Sequence, residues 1–99
     1  MDDKRRAIFG EVNYELDYQQ VKFGTTADDT KNTPNDWNSF ISHFGTRWFP
    51  GGFAPYKTAT VDAFRTAMVK VAALAVSAIE SIDRQRETNG KTFYEDVEG

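Results

Sequence analysis

The sequence contains no cysteine, one histidine, three prolines and seven glycines in 99 residues. Without cysteine there is no disulfide, no thiolate nucleophile and no Cys-based zinc site, and the chain fits a reducing cytosol. His43, the single histidine, does not build a Ser-His-Asp triad, because no serine stands in a nucleophile-elbow context. Gly51-Gly52 lacks the strand, the lysine and the spacing of a phosphate-cradling loop. A basic excess is also missing. The net charge is −3, which argues against a nucleic-acid polymer as partner. The most apolar run, Val71 to Ile79, is too short to span a bilayer, and Met1 to Arg6 carries no signal-peptide core. The expectation is a soluble, cytoplasmic protein with no membrane partner.

What is present is a helical pattern. Eight Phe, four Tyr and two Trp supply a modest core, too much for a disordered chain. Ninety-nine residues make one domain, here 1–90 followed by an acidic tail, 91–99, in which Phe93 and Tyr94 are candidates to hold the tail to the body. Ile8, Val12 and Leu16 recur at four-residue steps and predict a first helix over residues 3–21, with Phe23 extending the stripe and Gly24 as its stop. Tyr14 and Tyr18 share a neighbouring face. Residues 25–33 are polar and unpatterned and read as a loop. Asp28 and Asp29 fall there, without the spacing, glycine or closing glutamate of a calcium loop.

Thr33, Pro34 and Asp36 form a capping-box start for a second helix. Trp37, Phe40, Ile41, Phe44 and Trp48 make its apolar face, Asp36, Ser39, His43 and Arg47 a polar stripe, and Pro50-Gly51-Gly52 its end. Phe53 and Tyr56, in the connector, read as tucked inward. Thr60 caps a third helix over 61–88, whose stripe is Phe64, Met68, Val71, Ala75, Ala78 and Ile82, and Asn89-Gly90 ends it. Between 71 and 79 this helix is apolar nearly all round, so it reads as buried on several sides. The fold class is therefore all-α: a small bundle of three main helices, completed by homo-oligomerisation through the long third helix.

Three stretches, Glu15 to Gly24, Asn32 to Trp37 and Met68 to Val76, resemble small phage-encoded MazG-like proteins of the all-α nucleoside triphosphate pyrophosphohydrolase superfamily. The resemblance covers about residues 8–84 and rests on the ordered combination of these stretches. Enzymes of that superfamily hold magnesium through a Glu-Glu-x-x-Glu motif and a Glu-x-x-Asp motif. Here the corresponding stretches read Ser42-His43-Phe44-Gly45-Thr46 and Ala67-Met68-Val69-Lys70, with no acid in either.

The resemblance thus implies the scaffold without its metal ligands: a nucleotide-binding protein that does not cleave, needs no cofactor, and in a phage setting sequesters a nucleotide or cyclic nucleotide signal of host defence. Lys70 stands where a hydrolase needs an acid, with Thr66 one turn before it and Ser77 two turns after. The candidate ligand-binding set is Lys70, His43 and Arg47 for phosphate, Trp37, Trp48 and Tyr18 for stacking on a base, and Thr66. Three alternatives stay open. Lys70 reaches solvent and binds nothing; Glu11, Glu15, Glu80 and Asp83 act as displaced magnesium ligands; or the chain is a protein-interaction module.

Overall fold

A computed structural model of the protein describes residues 2–46 and 58–95. Among these there are four α-helices and no strand: α1 (Asp3–Phe23), α2 (Thr26–Thr30), α3 (Pro34–Thr46) and α4 (Thr58–Asn89), followed by a single 3-10 turn, Phe93–Glu95. None of the described helices is long and apolar enough to cross a membrane. The all-α class expected from the periodicity is what the chain adopts.

Local chemistry sets the helix ends. The Asp2 carboxylate accepts from the Arg5 N–H at 2.8 Å and caps α1. Gly24, at φ +70°, ends the same helix with its N–H on the Gln20 carbonyl, 2.8 Å away. The α3 start is a reciprocal capping box: the Thr33 N–H donates to Asp36 Oδ2 at 2.8 Å, and the Asp36 N–H faces Thr33 Oγ1 at 3.4 Å. Gly90, at φ +78°, stops α4. Thirty-two residues at about 1.5 Å each make α4 roughly 48 Å long.

Contacts along α4 give the topology. Arg65 pairs with Glu11, and Arg84 with Asp29, so α1 and α2 climb in the same direction as α4. Lys70 lies over Phe44, while Trp37 shares a cavity wall with Ser77, so α3 descends antiparallel to it. The apolar centre is thin: Val12 and Leu16 from α1, Trp37 from α3, Ala67 and Ala73 from α4.

Two expectations are corrected. Residues 25–33 are not all loop, because 26–30 coil into α2. The buried ridge of α4 is also not the Phe64–Ile82 stripe. It is Ala73, Ser77, Ser81 and Gln85, at steps of four. Small side chains let α1 and α3 approach, so the bulky stripe is left at the margin, and Phe64 is 43% exposed. The expected end of the second helix at Pro50-Gly51-Gly52, and Phe53 and Tyr56, lie outside the described residues.

The buried polar ridge is satisfied by a relay. Ser81 Oγ donates towards Asp29 Oδ1 at 2.6 Å and the Asp28 carbonyl at 2.9 Å, and accepts from Gln85 Nε2 at 3.1 Å. Gln85 Oε1 in turn accepts the Phe93 N–H at 3.0 Å, which ties the 3-10 turn to α4 through the backbone. Arg84 forks onto both Asp29 oxygens at 2.9 and 3.0 Å. Ser81→Ala removes the hub and strands the Gln85 amide. It should cost about 1–3 kcal/mol in urea unfolding and speed amide exchange over residues 26–32. Ser39→Ala, on the exposed face of α3, should stay within about 0.5 kcal/mol of the parent.

Candidate functional site

A cavity of about 400 Å³ opens where the end of α1, one side of α2 and the descending face of α3 meet the middle of α4. That size suits a small-molecule ligand. Its walls are aromatic and its rim polar. Tyr18 and Phe23 come from α1, Trp37, Phe40 and Phe44 from α3, and Lys70, Leu74 and Ser77 from α4; Asp28 and Asn32 close the α2 end. A second depression, beside Gly10, Tyr14 and Val69, is a shallow open trough that Glu11 and Glu15 also line.

The aromatic wall is braced internally. Trp37 is buried and meets Phe40 edge-to-face at 6.0 Å between centroids. The Lys70 ammonium stands 5.7 Å from the Phe44 ring centre, and the Lys22 ammonium 5.7 and 5.3 Å from the rings of Tyr18 and Phe23. Neither lysine is ion-paired among the described residues. Lys70 is half-buried, with its stem along α3 and its charge at the cavity.

The two neighbouring aspartates of α2 have opposite electrostatics. Burial pushes the Asp28 carboxyl up from its ordinary range, against the amide of Asn32 that donates to it at 3.1 Å. The fork of Arg84, helped by Ser81, holds Asp29 below that range. Asp29 is thus structural, while Asp28 faces the cavity.

Of the seven expected ligand residues, the cavity collects Tyr18, Trp37 and Lys70. His43 is exposed and meets the edge of Phe44 at 5.2 Å, and Thr66 is exposed a turn below Lys70. Neither lines the cavity. The reason is that α3 turns Trp37 and Phe44 towards α4, which leaves its polar stripe to solvent. Arg47 and Trp48 lie outside the described residues. Asp28, Asn32, Ser77, Gln19 and Lys22 join the cavity unforeseen. The run of serines and glutamine at steps of four in α4 signals only that α4 needs polar partners, which Asp29 and the Asp28 carbonyl supply.

The four displaced carboxylates do not gather. Glu11 is held by a bidentate Arg65 at 2.6 and 2.9 Å, Glu80 and Asp83 are exposed, and only Glu15 reaches the cavity. Among the described residues no three His, Asp or Glu side chains converge as a metal site requires. Comparison with protein-family models, curated proteins and solved structures finds no match to this chain.

The aspartates give a pH test. Asp29 is lowered in the folded state, so its stabilisation is complete above its ordinary value, 3.8, and is lost as pH falls through the lowered one. Asp28 is raised, so its charge costs stability above the raised value and that cost is relieved as pH falls through it. At pH 7, Asp29→Asn should lower the urea midpoint and Asp28→Asn should raise it. Below pH 3.8 the gap between Asp29→Asn and the parent should close.

Proposed function

We propose that this protein binds a nucleotide in the cavity between α1, α3 and α4 without cleaving it. The observation that carries the reading is one cavity combining an aromatic wall of Tyr18, Trp37, Phe40 and Phe44 with an unpaired lysine, Lys70, at its edge. Aromatic faces take a base, and an ammonium takes a phosphate by a charge-assisted hydrogen bond. The resemblance to MazG-like proteins whose acidic motifs are replaced here supports the same reading, and a phage protein of this kind would sequester a nucleotide signal. The scattered acids weigh against a magnesium-dependent mechanism through Glu11, Glu80 and Asp83.

Trp37 provides the readout. Its fluorescence should change on titration with mono-, di- and cyclic nucleotides, equally in magnesium and in EDTA, and chromatography should recover the nucleotide intact. Lys70→Glu should weaken binding about tenfold or more, the equivalent of one charge-assisted contact. A protein whose fluorescence and melting temperature ignore every nucleotide is not a nucleotide binder.

A second reading concerns self-association through α4. Val61, Phe64 and Ile79 stay 55%, 43% and 59% exposed, and with Met68, Ala72 and Ala75 they follow one helical stripe. So large an apolar strip is unusual on a monomer, and a stripe that is small and apolar at its centre can pair with its own copy about a two-fold axis. Sedimentation of the parent should show a dimer or larger assembly, and Ile79→Glu should shift it to the monomer. A parent that remains monomeric at every concentration removes this reading.

A further inference from the structure

The rim of the cavity is unevenly divided between donors and acceptors. Asn32 Nδ2 donates to Asp28 Oδ1 at 3.1 Å, and Gln19 Nε2 to Glu15 Oε1 at 3.2 Å. Carboxylates only accept, so each amide turns one N–H to its carboxylate and keeps a second N–H and a carbonyl oxygen. At the α1–α2 end Asp28 and Glu15 are the charged acceptors, with Lys22 beside them as a donor.

Asp28 is the most exacting of these. Its Oδ2 has no hydrogen-bond partner among the described residues, and its Oδ1 uses one of two lone-pair sites on Asn32. Arg84, the cation nearest in chemistry, has its fork committed to Asp29. Its neighbour on α2 is thus ion-paired, while Asp28, partly buried beside an aromatic wall, feels Arg84 only through space. A partly buried carboxylate without an ion pair is costly, and the chain tolerates it at the cavity. The helix around it is firmly docked, because Ser81 donates towards its own carbonyl.

We propose that the cavity selects guanine among the bases, with the two oxygens of Asp28 accepting the two adjacent donors of its Watson–Crick edge. Guanine places N1–H beside its 2-amino group, spaced to match a carboxylate. Adenine and cytosine each set one amino donor next to a ring-nitrogen acceptor, which opposes the second oxygen. Uracil flanks its single N3–H with two carbonyls. Only guanine offers the pair, and its face suits the Trp37 and Tyr18 wall. The inference rests on the nucleotide reading above and adds the identity of the base.

Trp37 fluorescence titrations with 5′-GMP, 5′-IMP, 5′-AMP and 5′-CMP test it. GMP should bind about tenfold or more tightly than AMP and CMP, in keeping with a bidentate base contact. IMP, which keeps N1–H and lacks the 2-amino group, should fall between. Asp28→Asn, which retains the fold by circular dichroism and melting, should bind GMP and AMP within about threefold of each other. Equal binding of all four bases by the parent, or a guanine preference that survives in Asp28→Asn, overturns the guanine assignment and leaves nucleotide binding standing. No binding of any of the four, with the cyclic nucleotides equally silent, overturns both.

Discussion

The hydroxyl of Ser81, beside the fork of Arg84 on Asp29, joins three segments at one point. It reaches the carbonyl of Asp28 and the carboxylate of Asp29, and it receives the amide of Gln85, which holds the N–H of Phe93. Around it, α4 has little apolar bulk to offer: its innermost positions are Ala73, Ser77, Ser81 and Gln85. Cohesion at this end of the molecule is therefore polar and directional. Each bond is modest in net terms, but leaving one partner unpaired costs the full desolvation of the other. The relay is close to all-or-none in consequence, and the cavity depends on it, since α2 carries Asp28, and the turn after it Asn32, into the wall.

The cavity itself divides labour between adjacent residues. Asp29 spends its charge on Arg84 and Ser81 and anchors a helix of five residues too short to stand alone. Asp28, one residue before it, turns to the cavity. On the opposite wall, Lys70 rises from the same α4 ridge that provides Ser77, so one helix serves the core, the relay and the charge at the cavity edge. Of the acids on the described helices, Glu11 and Asp29 are held by arginines, while Glu80 and Asp83 stand exposed.

Much of the skeleton was legible from residue order. The Thr33–Asp36 capping box, the glycine stops at 24 and 90 and the burial of Val12, Leu16 and Trp37 follow from local rules that act within a few residues. The short α2 escaped because Thr26 to Thr30 has no apolar period, and it is helical through what Ser81 and Arg84 offer it from 52 to 55 residues away. The innermost ridge of α4 differs from its bulky stripe for a related reason: the close approach of neighbouring helices favours alanine and serine over a side chain the size of Phe64. In the site, Tyr18, Trp37 and Lys70 stood out by residue type. Asp28 and Asn32 did not, because their role comes from a tertiary contact that no local pattern announces.

The parallel course of α1 and α4 has a consequence for how the molecule comes into being. Parallel neighbours cannot be joined by a tight turn, so everything between them must be laid down before their upper ends can dock. The links from Asp28 and Asp29 to Ser81 and Arg84 each close a loop of more than fifty residues. Loop closure of that length is entropically late, whereas α1, α3 and much of α4 coil on local signals. A chain still being synthesised, with α4 not yet released past Arg84, holds helices and no cavity. The cavity therefore arrives only with the upper part of α4, as a property of the packed helices rather than of any one of them.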